Sequence, residues 1–142
     1  DEKFADEADK IEDCLYKLQK FIVRRWLLDE NKRVDAQKDA LLNGRIDEYL
    51  NLVTASGNSS FKFLQNVFTT HNVAEQGISL ALAITERFGA VCRVHGGGFA
   101  GTVQAFVPMD MLDGFKQGIE AIFGKDSCHV LSVRNAGGIR VK

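Results

Sequence analysis

The chain has 142 residues, which is enough for one domain with a real hydrophobic core. Apolar residues make up 45% and charged residues 26% of the chain, as in ordinary globular proteins, and the net charge of −1 gives no general attraction to nucleic acid or anionic membranes. No apolar run approaches the roughly 20 residues that a membrane span needs. Three cysteines without paired spacing, Cys14, Cys92 and Cys128, predict reduced thiols in a cytoplasmic protein, and the scattered histidines predict no metal site.

The first half of the chain has the periodicity of helices. Apolar residues recur at helical intervals from Glu7 to Leu28 and continue, less regularly, to Leu42. The pair Asn43-Gly44 favours a helix end at that point, because glycine adopts the left-handed cap conformation without steric cost.

A second helix is expected to begin near Asp47 and to end at the polar stretch 54–60. Its predicted buried side consists of Ile46, Tyr49, Leu50, Leu52 and Val53. The stretch 61–70 is compatible with a short helix or with a loop. A third helix is predicted from Val73 to Phe88, where Gly89 would end it.

The second half of the chain changes to short β-rich runs. Strands are predicted at 90–94 and 102–107, and a helix at 110–124 with Asp110 as its N-cap and Gly124 at its end. Further strands are predicted at 129–133 and 138–141. Helices followed by β-β-α-β-β are typical of an α+β domain with an antiparallel sheet. We therefore predict a single domain, 1–142, with a helical part at about 1–88 and a sheet part at about 89–142.

The stretch "RVHGGGFAGTVQAFV", residues 93–107, places four glycines between two strand-like runs. Gly96, Gly98 and Gly101 satisfy the pattern G-x-G-x-x-G, but a dinucleotide site needs a helix after the loop, and here a strand-like run follows. A protein-kinase glycine loop does join two strands, but the other protein-kinase motifs are missing from the sequence. Two interpretations remain: a hairpin turn that binds nothing, and a loop whose backbone N–H groups bind an anion such as phosphate.

Both interpretations predict a tight connection at 96–101 between antiparallel strands, in which at least two glycines have φ angles that alanine would resist. Beside the loop, Arg93 is expected either to face a phosphate or to be a half-exposed strand residue. His95 is expected either to contact a ligand or to hydrogen-bond to nearby backbone. Cys92 and Trp26 are expected in the interior.

The loop and its flanks resemble the third conserved motif of the GHMP family of small-molecule kinases. In the galactokinase branch this motif reads roughly Arg-Met-Thr-Gly-Gly-Gly-Phe-Gly-Gly before a strand and a proline, and the matching residues here are Gly96, Gly97, Gly98, Phe99 and Gly101. His95 stands where the branch has Thr, and Ala100 where it has Gly. Upstream, residues 30–56 resemble the galactokinase stretch with Glu-Asn-x-Arg-Val, and Ser56 and Ser59 match its Ser-His-x-Ser-Leu pattern.

The resemblance implies an ATP- and Mg²⁺-dependent sugar kinase of the galactokinase type, with a ferredoxin-like C-terminal domain. The residues that it places near substrate or nucleotide are His95, Gly96, Gly97, Gly98, Phe99, Gly101 and Ser56. The phosphate loop, metal ligand and catalytic pair of that family lie on an N-terminal lobe, and none of those motifs is found here. We therefore expect a C-terminal lobe that carries no catalytic residue and no metal ligand, binds no cofactor alone and is inactive alone.

The expected partners are the missing N-terminal lobe and, in the complete enzyme, a small sugar. The apolar surface that such a lobe would cover predicts self-association in its absence. The alternative function is that of a stand-alone ferredoxin-like domain that binds a ligand or regulates another protein. Coding sequence upstream of Asp1 that contains a Ser-Ser phosphate loop would distinguish the two.

Overall fold

The computed structural model describes residues 2–72, 74–99, 101–133 and 135. These residues form four helices and a two-stranded antiparallel sheet, in the order α1 (Glu2–Leu42), α2 (Ile46–Leu64), α3 (Gly77–Arg87), β1 (Val91–Val94), β2 (Val103–Phe106) and α4 (Leu112–Phe123). The predicted combination of helices with an antiparallel sheet is confirmed. The chain forms two compact units, Asp1–Val107 and Pro108–Lys142. In the part of the chain described, no helix has both the length and the apolar content needed to cross a membrane.

Helix α1 is a single helix of 41 residues that ends where the sequence predicts. Gly44 adopts a φ of +68°, and the Asn43 side chain donates a hydrogen bond of 2.8 Å to the backbone carbonyl of Asp39. Glycine reaches this left-handed conformation without the Cβ clash that other residues meet, so it terminates the helix. The apolar periodicity is therefore a correct predictor of α1.

The two halves of α1 differ in their surroundings. Every side chain from 7 to 25 is exposed, whereas the second half packs on α2 and fully buries Ala40. Trp26, which is partly buried, lies where the exposed half ends. Its indole nitrogen is buried, and it has no hydrogen-bond partner among the described residues. The prediction that Trp26 lies in the interior is thus met in part.

Helix α2 corrects the prediction that the polar stretch 54–60 ends a helix, because α2 continues through it to Leu64. Ser56 and Ser60 are buried in the helix, and their hydroxyls have hydrogen-bond partners. Gly57 lets α2 lie directly on β1, since a Cβ there would be 3.0 Å from the Arg93 Cβ. On the predicted buried side, Val53 is buried but Ile46 is 52% exposed. The small residues of 54–60 therefore let α2 pack closely on its neighbours and do not interrupt the helix.

The sheet is a hairpin in which Val91 pairs with Phe106 and Val94 pairs with Val103. Both predicted strands are confirmed, and no helix follows the glycine loop. The core around the hairpin consists of Val67, Ile78 and Val94, with Phe68, Leu82 and Val103 packed against them. The Tyr49 ring of α2 meets the Phe106 ring edge to face, with 5.7 Å between the centroids. Helices α2 and α3 therefore hold the hairpin in place.

Three further predictions are corrected. The stretch 129–133 is not a strand: Val130, Leu131 and Val133 are exposed, and β-rich composition forms a strand only where a partner strand and a buried face are present. Helix α4 has Met111 rather than Asp110 at its N-cap, without a side-chain cap hydrogen bond, although Gly124 ends it as predicted with a φ of +99°. Helix α3 begins at Gly77, later than predicted, and Val73 and the predicted strand 138–141 lie outside the described residues.

Candidate functional site

The glycine loop is a tight connection between β1 and β2. The backbone N–H of His95 donates to the carbonyl of Thr102 at 2.9 Å, which closes the base of the loop. Gly96, Gly98 and Gly101 have φ angles of +63°, +79° and +78°, so the prediction of at least two such glycines is confirmed. Phe99 also has a positive φ, +58°, which is costly for a bulky residue and requires support from its neighbours.

That support comes from Asn66, which follows α2 and is 1% exposed. Its backbone carbonyl accepts a hydrogen bond of 3.0 Å from the N–H of Phe99. Its side-chain amide donates to the carbonyl of Gly97 at 3.1 Å, and its side-chain oxygen accepts from the Ser60 hydroxyl at 3.2 Å. One buried residue thus holds the loop at Gly97 and at Phe99 and links it to Ser60 of α2.

Gly98 is required at its position for two reasons. Its φ of +79° favours glycine, and a Cβ built on it would lie 2.2 Å from the backbone carbonyl oxygen of Asn66. By contrast, a Cβ on Gly96, Gly97 or Gly101 would meet nothing within 4 Å. The loop therefore has one face packed on Asn66 and one face open.

The loop carries three successive backbone donors. The N–H groups of Gly96, Gly97 and Gly98 make no hydrogen bond to any part of the chain that the structure describes. Gly96 and Gly97 are exposed, and so are the side chains of His95 and Phe99 beside them. Successive N–H groups in a loop that alternates left-handed and other conformations form a concave site for anions. This arrangement is suited to bind a phosphate group or another small oxyanion.

Ser56 belongs to a different cluster from the loop contacts just described. It is 1% exposed; its hydroxyl donates to the Glu30 carboxylate at 2.6 Å and accepts from the Arg93 guanidinium at 2.7 Å. Glu30 in turn pairs with Arg33, and the side chains of that pair are 12% and 18% exposed. This polar cluster joins α1, α2 and β1. The proximity of Ser56 to a substrate, which the resemblance implies, stays a prediction.

A cleft of about 320 Å³ lies between α2, α3 and β1, where Gly57, Leu82, Cys92 and Arg93 contribute to its lining. The Cys92 side chain contacts the Leu82 carbonyl at 3.6 Å, and burial, together with the negative charge of Glu86, raises the thiol pKa to about 11. A thiol that stays protonated at neutral pH is a poor nucleophile. The prediction that Cys92 is buried is confirmed, and Arg93 is half-buried as the second of its two interpretations predicts.

Sequence reasoning missed Asn66 and Glu30, and it did not foresee the contact between Ser60 and Asn66. Asn66 lies in the stretch 61–70, which the sequence left open between helix and loop. No sequence signal joined Asn66 to the loop, because their contact spans 31 residues. Ala100, where the sequence departs from the galactokinase motif, lies outside the described residues.

Within the described ranges, no group of three or more His, Cys, Asp or Glu side chains is placed to hold a metal ion. Comparisons of the chain with protein-family models, with curated proteins and with solved structures found no match.

Proposed function

We propose that this chain is the C-terminal lobe of a galactokinase-like sugar kinase and that its glycine hairpin forms one wall of the phosphoryl-transfer site. Two features of the same loop support this proposal. The motif from Arg93 to Pro108 resembles the third motif of the GHMP kinases, and three backbone N–H groups of the loop that carries it have no partner among the described residues.

The observation that carries the proposal is that the N–H groups of Gly96, Gly97 and Gly98 have no hydrogen-bond partner among the described residues, on a loop held by Asn66. Phosphoryl transfer depends mainly on positioning and on stabilising the negative charge of the transferred group. Donors that are already aligned in the protein need no rearrangement when that charge develops. A loop that is held by Asn66 and has donors without partners among the described residues meets this requirement without contributing a base.

The cofactors that we propose for the complete enzyme are ATP and Mg²⁺. The phosphoryl group transferred from ATP would be the electrophile. The loop N–H groups fit phosphate oxygens, whereas the described residues hold no group suited to Mg²⁺. In the proposed enzyme the metal ligands, the catalytic pair and the sugar contacts belong to an N-terminal lobe. The larger ferredoxin-like sheet, to which β1 and β2 would belong, is also part of the proposal.

The proposed compartment is the cytoplasm. Cys14, Cys92 and Cys128 are all free thiols in the structure. Free cysteines are typical of proteins in reducing compartments, where ATP-dependent sugar kinases act.

The test is a coupled assay for galactose phosphorylation with ATP and Mg²⁺. We expect no turnover from this chain alone and measurable turnover when it is joined to, or mixed with, a galactokinase N-terminal lobe. In that complete enzyme, Gly97→Ala should lower kcat, because the methyl group would cover the open face of the loop. Gly77→Ala, at a helix start where a Cβ meets nothing within 4 Å, is the matched control and should retain full activity.

Turnover by this chain alone, with contaminating kinases excluded, would contradict the proposed division of labour between the lobes. Full activity of the Gly97→Ala enzyme would contradict the role of the loop.

A further inference from the structure

The exposed half of α1 carries a continuous apolar row, which we call the α1 stripe. It consists of Ile11, Leu15, Leu18 and Ile22, whose exposed fractions are 62%, 55%, 52% and 37%. Phe21 beside the row is 65% exposed. Exposed apolar residues are common singly, but a contiguous row on one helix marks a surface that binds another apolar surface.

The spacing of the α1 stripe indicates what kind of surface that is. Its members follow one another at intervals of four, three and four residues. This is the a/d repeat of helices that pack along their whole length with their side chains interlocked. A flat or concave partner would not require this repeat, so the α1 stripe fits another helix.

The charges along the same half of α1 are divided between its two ends. Residues 7–13 carry four acidic side chains and one lysine, whereas residues 17–25 carry four basic side chains and no acidic one. Two of the basic residues have partners within the helix, since Lys17 contacts Asp13 at 2.6 Å and Arg25 contacts Asp29 at 3.4 Å. The helix dipole favours acidic residues only within the first turn, and Glu12 and Asp13 lie well beyond it. The helix dipole therefore does not account for the position of these two acidic residues.

We propose that the α1 stripe is a homodimer interface in which a second copy of this chain packs its own α1 antiparallel to the first. In this orientation the acidic end of each helix lies beside the basic end of the other. The interface is isologous, because both copies contribute the same surface around a two-fold axis. The register that aligns the two stripes places Ile11 opposite Ile22 of the second copy and Leu15 opposite Leu18. A parallel pair would place like charges together.

The first experiment measures association by sedimentation equilibrium. The wild-type chain is expected to form a dimer. The double variant Leu15→Lys/Leu18→Lys should raise the dimer Kd by about a hundredfold or more, since it places charged side chains in the centre of the α1 stripe. The matched control is Leu42→Lys/Leu80→Lys, which changes two exposed leucines outside the stripe by the same charge and should leave the Kd unchanged.

Both double variants alter exposed positions, so circular dichroism should report the same helix content for both. A wild-type chain that stays monomeric up to its solubility limit would overturn the proposal. Equal Kd values for the stripe variant and the control would overturn it as well.

The second experiment determines the orientation. A spin label is attached to the variant Glu7→Cys/Cys14→Ser/Cys128→Ser, in which the remaining native thiol, Cys92, is buried. The antiparallel register predicts a separation of about 30 Å between the two labels, since positions 7 and 26 lie side by side and the helix rises 1.5 Å per residue. A parallel pair would place the labels roughly 10 Å apart. The expected dimer also weakens with added salt, and a separation near 10 Å or a Kd independent of salt would overturn the antiparallel assignment.

Discussion

The β1–β2 hairpin and the exposed half of α1 are both recognisable from apolar periodicity, but their surroundings differ completely. Val94 in the hairpin is 1% exposed and lies in the core, whereas Leu15 on α1 is 55% exposed. Helical hydrogen bonds are local, so the exposed half of α1 continues the same helix whose second half packs on α2. The hairpin depends on Asn66, which lies far from it in sequence. Periodicity thus predicts an element, and buried polar contacts determine where that element is held.

The substitution Gly98→Ala is the strongest test of the dependence of the hairpin on Asn66. The added methyl group would lie 2.2 Å from the Asn66 carbonyl oxygen and would also disfavour the φ of +79°. We expect a loss of about 3 kcal/mol in the free energy of unfolding, measured by urea denaturation. Gly97→Ala, which has neither constraint, should change it by less than about 0.5 kcal/mol. Equal losses for the two variants would contradict the packing of Gly98 on Asn66.

Two cysteines provide a chemical version of the same comparison. Cys92 lies in β1 with a thiol pKa of about 11, while Cys14 is exposed on α1. At pH 8 iodoacetamide should alkylate Cys14 faster than Cys92, as peptide mass spectrometry would measure, because burial and the raised pKa keep the Cys92 thiol protonated and shielded.

The sign of the pH dependence follows from the raised pKa. The folded chain holds the Cys92 proton more tightly than the unfolded chain, whose thiol has the ordinary pKa of 9.0. The resulting contribution to stability is complete below pH 9 and is lost as pH rises towards 11. In the alkylation experiment, equal rates of reaction for Cys92 and Cys14 would show that the Cys92 thiol is not protected by burial in β1.

The substitution Asn66→Ala tests the support of the loop directly. It removes the amide that donates to Gly97 and accepts from Ser60, and it leaves both of those groups without that partner. The expected loss is about 2 kcal/mol in the free energy of unfolding. Asn58→Ala, at an exposed position of α2, is the control and should cost less than about 0.5 kcal/mol.

Ser56→Ala probes the polar cluster between α1, α2 and β1. It removes the hydroxyl that links Glu30 to Arg93, so we expect a loss of about 1 kcal/mol. Ser59→Ala in the same helix is less buried and should be nearly neutral. Thermal unfolding monitored by circular dichroism is sufficient for this pair of variants. If Ser56→Ala is as stable as the wild type, the polar cluster does not contribute to stability.

The smallest effect is expected on α1. In dilute solution, where the chain is monomeric, Leu15→Ala should change the free energy of unfolding by less than about 0.5 kcal/mol, because the side chain is exposed. Val94→Ala, which creates a cavity in the core, should cost at least about 1 kcal/mol in the same denaturant titration. A large loss for Leu15→Ala would show that α1 is covered by its own chain.

Most elements could be predicted because their signals are local. The end of α1 at Gly44, the two strands and the end of α4 at Gly124 all follow from periodicity and glycine chemistry. The continuation of α2 through 54–60 could not be predicted, because Ser56 and Gly57 are favourable there only through contacts with Glu30 and β1. The run 129–133 has strand composition, but composition does not supply a partner strand.

The candidate site shows the same limit. The glycine motif predicted the hairpin and its positive φ angles, since both depend on residues within the loop. The anchoring role of Asn66 depends on a contact that spans 31 residues to Gly97. Polar residues in ambiguous stretches carry no periodic signal, so their partners became visible only in the folded chain.

Trp26 gives the molecule a built-in optical reporter. It is the only tryptophan, and it lies on α1 where the exposed half meets the packed half. Its intrinsic fluorescence therefore observes one junction and no other part of the chain. Substitutions in the hairpin that leave the chain folded leave the emission maximum in place, whereas a molecule that packs on α1 as far as Trp26 changes the environment of this indole and moves that maximum without a chemical label.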